Sequence, residues 1–113
     1  MKFAKVSETV EHKNNSACIA FEYELGDPDI NGAVIVLNGR YPEAKRTRNT
    51  LSKELIQVLE GSGIAIVEDK EIALAAADQL IIEPNERYII EGALKLFIAS
   101  TPAWTPSQSE TID

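Results

Sequence analysis

The sequence predicts an all-β domain of the sandwich or barrel type. Short runs of aliphatic and β-branched residues follow one another, and turn signals such as residues 26–29 and the dipeptide Asn38-Gly39 end them. The last run, Leu94-x-Leu96-x-Ile98, alternates strictly, which is typical of a strand with one buried face. No long helical period occurs, and the alanine-rich segment 71–78 is too short between turns to form an independent helix.

About eight strands are expected in chain order. Glycines 61 and 63 separate the third from the fourth, and turns follow near residues 68–70 and 84–86. Segments 64–67 and 80–82 are apolar on both strand faces, so we expect a partner sheet or a second subunit against them, hence a homodimer. The predicted strands are 17–23, 30–37, 54–59, 64–67, 71–74, 79–82, 88–90 and 94–99.

The chain length of 113 residues predicts one domain. We expect its core to cover about residues 17–100, with a polar loop at 7–16 and an irregular tail at 101–113 because the tail contains Pro102 and Pro106. Trp104 either anchors this tail to the body or, if the tail crosses the barrel mouth, forms a lid.

Charge and cysteine content exclude several classes of function. A formal net charge of −7 repels phosphate backbones and anionic lipids, so neither nucleic acid nor a membrane is an expected partner. Cys18 is the only cysteine and lies in an apolar run, which predicts a small buried hydrophobe without a disulfide. The chain shows no signal-peptide pattern and no long apolar stretch, and we expect a cytoplasmic protein.

Two segments resemble the conserved motifs of the cupin superfamily. Residues 54–63, Glu-Leu-Ile-Gln-Val-Leu-Glu-Gly-Ser-Gly, are similar to the first motif, and residues 77–88 are similar to the second, with Ala77 and Asn85 at glycine positions. Asn tolerates the left-handed backbone that such a turn needs. The resemblance covers about residues 17–100 and implies a single cupin-type double-stranded β-helix, which is a jelly-roll barrel.

The same resemblance implies where a metal would bind. In cupins two His and a Glu of the first motif and one His of the second hold the ion. Glu54 keeps the acidic position, but the paired His positions fall on Arg48 and Thr50, or on Thr47 and Asn49 if the spacing shifts by one residue. The last position is Tyr88, and the only histidine, His12, lies outside both motifs. We therefore predict no metal site and no cofactor.

The inward strand face would retain a polar spot. Glu54, Ile56 and Val58 share a face by the period of two, and the resemblance implies that Tyr88 and Ile90 face the same cavity. A buried carboxylate must be paired, hydrated or protonated. One interpretation is an ion pair of Glu54 with Arg48. The alternative is a metal-independent isomerase or epimerase in which Glu54 and Tyr88 are the catalytic acid and base.

A basic cluster precedes the first motif. If the resemblance holds, residues 38–50 cross the barrel mouth, and they carry four bases: Arg40, Lys45, Arg46 and Arg48. These bases either pair with surface acids or select a small anion, because Arg binds carboxylates in a bidentate manner. The second interpretation predicts a ligand-binding set of Arg40, Arg48, Asn49, Glu54 and Tyr88. We expect small-molecule binding in the barrel, with catalysis or a non-catalytic homodimeric interaction module as alternatives.

Overall fold

Nine antiparallel strands and two three-residue 3-10 turns make up the computed structural model, which describes residues 1–113. The predicted all-β class is confirmed. The structure contains no helix that is long and apolar enough to span a membrane. The turns are Val6–Glu8 and Pro106–Gln108, and the strands are β1 Val10–Asn15, β2 Cys18–Tyr23, β3 Asn31–Tyr41, β4 Arg46–Asn49, β5 Lys53–Val67, β6 Lys70–Ala75, β7 Gln79–Ile82, β8 Tyr88–Thr101 and β9 Ser109–Ile112.

Two long strands organise the barrel. β8 pairs with β3 along one edge and with β5 along the other, so the sheet runs β1-β2-β3-β8-β5. The first part of β5 also pairs with β7 and its last part with β6. The short strand β4 meets β8 only at the pair Thr47–Tyr88 and otherwise pairs with β9. This connectivity curls the sheet around one interior.

The glycines at 61 and 63 do not end a strand, and this corrects the predicted boundary. β5 is continuous over 15 residues, with a register shift between Val58 and Glu60. A Cβ on Gly61 would overlap the backbone of Ala93, and one on Gly63 would overlap the carbonyl of Glu91. Glycine is therefore present because β5 and β8 approach closely here, which is a common reason for glycine inside a strand.

The predicted polar loop 7–16 is also corrected. Residues 10–15 form β1, which pairs with β2 from Val10–Glu22 to Asn15–Cys18. β1 is an edge strand with mostly exposed, polar side chains, and polar residues on an edge protect it from pairing with other chains. Backbone pairing, which the polar composition did not reveal, decided this element.

The predicted irregular tail contains a strand as well. Ser109–Ile112 pairs with β4 as β9. Both tail prolines lie before β9, so neither removes a hydrogen bond from its ladder. The basic segment 38–50 likewise does not cross a mouth as a loop. β3 continues to Tyr41, and β4 begins at Arg46 after a short turn.

The inner face of the barrel is apolar except at one end. Ile56 and Val58 are fully buried and join an 11-residue core cluster that includes Leu37, Leu94 and Leu96. In the second-motif region Ala77 has φ +76° and Asn85 has φ +70°. Both positions where the resemblance expects glycine thus have the left-handed backbone.

Candidate functional site

A carboxylate lies on the inner face of β5. Glu54 is 6% exposed and shares its strand face with Ile56 and Val58, while Leu55 points outward. The prediction that these three side chains share one buried face is confirmed. Glu54 therefore places a charged group at the end of an apolar interior, where its partners decide what it can do.

Two neutral side chains hold the Glu54 carboxylate. Asn49 Nδ2 donates a 2.9 Å hydrogen bond to Oε1, and Ser100 Oγ donates a 2.9 Å hydrogen bond to Oε2. The predicted ion pair with Arg48 is wrong, because Arg48 points out of the barrel. Glu54 is thus hydrogen-bonded but has no cationic partner.

Trp104 extends this cluster into the tail. Its indole Nε1 donates a 2.9 Å hydrogen bond to Asn49 Oδ1, and its backbone N–H donates to Asn31 Oδ1 at 3.0 Å. Since the Asn49 oxygen accepts from the indole, its nitrogen is directed at Glu54. The cluster Asn49–Glu54–Ser100–Trp104 is named the polar cluster below.

The segment that carries Trp104 is fixed at both ends. Before it, the Ala103 N–H donates to the Pro28 carbonyl at 3.0 Å, and Ser52 Oγ donates to the Pro102 carbonyl at 2.8 Å. After it, the buried Gln108 accepts hydrogen bonds from the N–H of Leu51 and Ser52 at its Oε1 atom. Residues 102–108 therefore form a strap held against the barrel, and Trp104 anchors it to the body, which is one of the two predicted roles.

Burial shifts the protonation of the groups around the carboxylate. Desolvation raises the pKa of Glu54, although the hydrogen bonds from Ser100 and Asn49 counteract it in part. Desolvation, followed by the charge of Glu54, raises the pKa of Tyr88 well above its ordinary value. Burial raises the pKa of Tyr41 as well. Both phenols are therefore neutral proton donors at neutral pH.

A cavity of about 90 Å³ lies beside the polar cluster. Its lining is mainly apolar, which is typical of small-molecule sites. Two carboxylates, Glu22 and Glu54, border it, and no Lys, Arg or His does. The polar and aromatic lining residues are Asn14, Glu22, Asn31, Tyr41, Asn49, Glu54, Tyr88, Ser100 and Trp104.

Three of the five predicted ligand-binding residues meet at this cavity and two do not. Asn49, Glu54 and Tyr88 line it. Arg40 instead donates to the Pro42 and Lys45 carbonyls at 2.5 and 2.7 Å and thereby closes its own turn. Arg48 forms an ion pair with Glu110 on β9, with Nη2 2.8 Å from Oε2. None of the four bases of the cluster lines the cavity, so the predicted anion-selective rim is not formed.

The structure decides between the two possible spacings of the first motif. Thr47 and Asn49 are buried, whereas Arg48 is only half-buried and Thr50 is exposed. The pair that faces inward is therefore Thr47 and Asn49, because alternate residues of β4 share one face.

A metal ion does not fit the groups at these positions. The side chains that correspond to the cupin ligands are a hydroxyl, an amide, one carboxylate and a neutral phenol. No group of three or more His, Cys, Asp and Glu side chains is arranged to hold an ion. Hydroxyl, amide and phenol are weak ligands for a transition metal, so these residues do not form a metal site.

Several site residues were missed at the sequence level. Ser100 continues the alternation Leu94-x-Leu96-x-Ile98, and Glu22 continues the inward series Cys18-x-Ala20, so local periodicity contained both signals. Asn31 likewise belongs to the inward series of β3, in which Ala33, Ile35 and Leu37 also line the cavity. The contact of Trp104 with Asn49 depends on the path of the strap, and no local pattern indicates it. Cys18 is buried as expected, and burial raises its pKa, which opposes a nucleophilic role.

Comparison with known proteins supports the fold. No protein-family model matches this sequence, and a comparison with curated proteins gives no significant match. Among solved structures, Pac13, described as a nucleoside dehydratase, superposes with a TM-score of 0.88 at 17% identity over 99% of this chain and 91% of that one. Three single-residue variants of Streptomyces Pac13, one replacing a histidine and two replacing a tyrosine, were solved with uridine.

Two further structures share the architecture. KdgF from a Halomonas species superposes with a TM-score of 0.77 at 10% identity, covering 95% of this chain and 97% of that one. Oxalate decarboxylase from Bacillus subtilis gives a TM-score of 0.82 at 13% identity, covering 99% of this chain but 32% of that one. At these identities the likeness shows the fold. The chain is a small cupin-type barrel, as the motif resemblance implied.

Proposed function

We propose that this barrel binds a small molecule in the cavity beside the polar cluster, and that it does so without a metal. One observation carries the proposal: a carboxylate that is 6% exposed borders an otherwise apolar cavity and is held in place by two directed hydrogen bonds. An apolar cavity with a few convergent polar groups is the general form of a ligand site. Asn49, Glu54 and Tyr88 are the proposed contacts.

The charge of the lining argues against an anionic ligand. Glu22 and Glu54 border the cavity, and the guanidinium groups of Arg40 and Arg48 are engaged elsewhere. A carboxylate ligand would meet two like charges without a basic partner, which is unfavourable in a partly buried site. The proposed ligand is therefore neutral or cationic.

The size of the cavity limits the ligand or requires the strap to move. About 90 Å³ is well below the roughly 300 Å³ at which drug-sized ligand sites begin. A ligand of a few heavy atoms fits with Trp104 in place. A larger one, such as the uridine bound to the Pac13 variants, requires displacement of the indole from Asn49.

Thermal unfolding with a panel of small molecules tests the binding proposal. A ligand at about 100 times its Kd adds about 2.7 kcal/mol to the free energy of unfolding, which raises the Tm of a domain this size by about 10 °C. We expect neutral or cationic compounds, uridine included, to raise the Tm of wild type and to have less effect on Asn49→Leu. The matched control is Glu60→Gln, an exposed change on β5. A shift that is equal in Asn49→Leu and wild type would place binding elsewhere.

A catalytic role is the second candidate, and the raised pKa of Glu54 favours it. A carboxylate whose pKa is raised by burial is a stronger base than an ordinary one, and the neutral phenol of Tyr88 lies close enough to feel its charge. Pac13, whose fold is similar, is described as a dehydratase, and its variants solved with uridine replace one histidine and two tyrosines. Glu54 with Tyr88 would then perform metal-independent proton transfer of the isomerase, epimerase or dehydratase type.

Deuterium exchange tests the catalytic candidate without a known product. Each compound that raises the Tm is incubated with protein in D2O, and loss of a carbon-bound proton is followed by NMR. We expect exchange with wild type and a decrease of about 10²- to 10⁴-fold in Glu54→Gln, whose amide keeps the hydrogen-bonding shape. Exchange that is equally fast in Glu54→Gln would exclude Glu54 as the catalytic group. Absence of exchange for every bound compound would leave a binding protein only.

A homodimer is a further proposal, supported by the outer face of the sheet. Leu55 faces outward between Ile81 on β7 and Ala99 on β8. Leu55, Phe97 and Ile81 are 37%, 37% and 53% exposed. Neighbouring exposed apolar side chains of this kind commonly mark protein interfaces.

Light scattering after size exclusion tests the dimer. We expect wild type to elute with the mass of two chains and Leu55→Lys with the mass of one. Ala76→Lys, an exposed turn position away from this face, should behave as wild type. A monomer mass for wild type over a tenfold concentration range would end the proposal.

A further inference from the structure

Two carboxylates face one cavity from different strands of the barrel. Glu54 projects from β5 and Glu22 from β2, on which the inward series is Cys18, Ala20 and Glu22. The charge of Glu22 is close enough to Glu54 to raise its pKa. The cavity therefore holds two acidic groups and no basic one.

Neither carboxylate has a good cationic partner inside the protein. The hydrogen-bond donors to Glu54 are the neutral Asn49 and Ser100. The nearest base to Glu22 is the half-exposed His12, whose Nε2 lies 3.9 Å from Oε2, and His12 does not border the cavity. Glu54, which is buried, is unfavourable as a carboxylate without a counter-charge unless it binds a proton or a cation, whereas the Glu22 side chain is 24% exposed.

The rest of the lining suits an organic cation. The rings of Tyr41, Tyr88 and Trp104 all border the cavity. Aromatic faces attract ammonium groups through the ring quadrupole, and the attraction grows when water is excluded. Carboxylates combined with several aromatic rings are a common arrangement for recognising amines.

We infer that the cavity takes a small organic cation, a protonated amine, with Glu54 and Glu22 as its counter-charges and the three aromatic rings around its apolar part. This inference rests on the proposed small-molecule binding and narrows its ligand class. The amine N–H groups donate to the carboxylates, and the hydrocarbon part contacts the apolar wall. A neutral alcohol has no positive charge and therefore cannot compensate the negative charges of the two acids.

Binding of a cation is coupled to release of a proton. Glu54 must be ionised to compensate the ligand, and its pKa is raised in the free protein, so affinity increases as pH rises through that pKa and then levels off. The other titratable groups around the cavity are Glu22 and Cys18 on β2, Tyr41 at the end of β3 and Tyr88 at the start of β8. The two phenols and the thiol have raised pKa values and stay neutral across this range.

The test compares molecules that share a hydrocarbon part and carry a cationic, neutral or anionic head group. Two series are titrated by calorimetry and by the fluorescence of Trp104, the only tryptophan. The first is tert-butylammonium, tert-butanol and pivalate; the second is cyclohexylammonium, cyclohexanol and cyclohexanecarboxylate. We expect the ammonium member to bind at least about tenfold more tightly than the alcohol, since a hydrogen bond to a charged group is worth about that much. The carboxylate member should bind least.

Variants separate this inference from the broader proposal. Glu54→Gln and Glu22→Gln should each reduce the preference for ammonium over alcohol, and Glu54→Gln should remove its pH dependence, while Glu60→Gln should leave both unchanged. Alcohols that bind as tightly as ammonium compounds would overturn the cation inference but keep the binding site. If no member of either series binds while uridine does, the cation inference again fails alone. If nothing binds, both fail.

Discussion

The indole Nε1 of Trp104 donates a 2.9 Å hydrogen bond to Oδ1 of Asn49, across 55 positions of sequence. This contact orients the Asn49 amide so that its nitrogen donates to Glu54 at 2.9 Å. The tail and the cavity carboxylate are therefore coupled through one side chain. A change in the strap should alter the site, and occupation of the site should alter the environment of Trp104.

Trp104→Phe removes the donor and keeps an aromatic ring. We expect a loss of about 1–2 kcal/mol in the free energy of unfolding, because Asn49 Oδ1 loses its partner in a partly buried setting. Urea denaturation followed by far-UV circular dichroism measures it. Thr105→Ala, which breaks only an exposed contact with Ser107, is the control and should change stability by less than about 0.5 kcal/mol. Equal stability of Trp104→Phe and wild type would mean that the indole contact contributes nothing.

Glu54→Gln should change how stability depends on pH. Because the pKa of Glu54 is raised on folding, the folded state binds this proton more tightly than the unfolded state. The contribution of this proton to the free energy of unfolding is fully present below the ordinary glutamate pKa of 4.5. It is lost as pH rises through the raised pKa of Glu54 in the folded protein. Relative to wild type, Glu54→Gln should therefore gain stability as pH increases above about 4.5.

The measurement is the urea midpoint of unfolding of both proteins from pH 4 to pH 8. The dependence of the free energy of unfolding on urea concentration must stay the same, since a change in it would indicate a different unfolded state. Glu60→Gln, on the same strand but exposed, serves as the matched control and should run parallel to wild type. Parallel curves for Glu54→Gln and wild type would show that Glu54 titrates alike in the folded and unfolded states.

Arg48→Ala should leave ligand binding intact. Arg48 pairs with Glu110 outside the cavity, and both side chains are about a third or more exposed, so solvent screening limits the pair to less than about 1 kcal/mol of stability. Any ligand-induced Tm shift seen with wild type should persist in this variant. If the shift is lost while the fold is retained, Arg48 contributes to ligand binding, and an anionic ligand becomes the better hypothesis.

Ala77→Gly should stabilise the protein. Ala77 has φ +76°, a conformation that costs an L-residue roughly 1–2 kcal/mol. Glycine removes this cost, but it also raises the conformational entropy of the unfolded chain, which offsets part of the stabilisation. A net increase of about 0.5–1 kcal/mol is expected in thermal or urea unfolding. Ala76→Gly, in the same turn without a positive φ, should lower stability slightly. A loss of stability in Ala77→Gly would show that the turn relaxes around alanine.

Local patterns predicted much of the fold. The period of two on β5 placed Glu54, Ile56 and Val58 on one inner face, because side chains of an extended chain must alternate. The same rule, applied to β2 and β8, would have found Glu22 and Ser100. The alternation rule did not predict β1 or β9. These edge strands form because they pair with β2 and β4, and they have no apolar pattern of their own.

The sequence by itself determined that the barrel is all-β, that an acid lies on its inner strand face and that cupin-type histidines do not accompany it. Only the tertiary structure decided that Asn49 and Ser100, not Arg48, hold Glu54. Ser100 is 46 positions from Glu54 and Trp104 is 55 from Asn49. Such partners depend on strand register and on the route of the tail. The physical reason is that the alternation of side chains is a property of each strand alone. The hydrogen-bond partners of a buried carboxylate, in contrast, depend on which distant residues the folded chain places beside it.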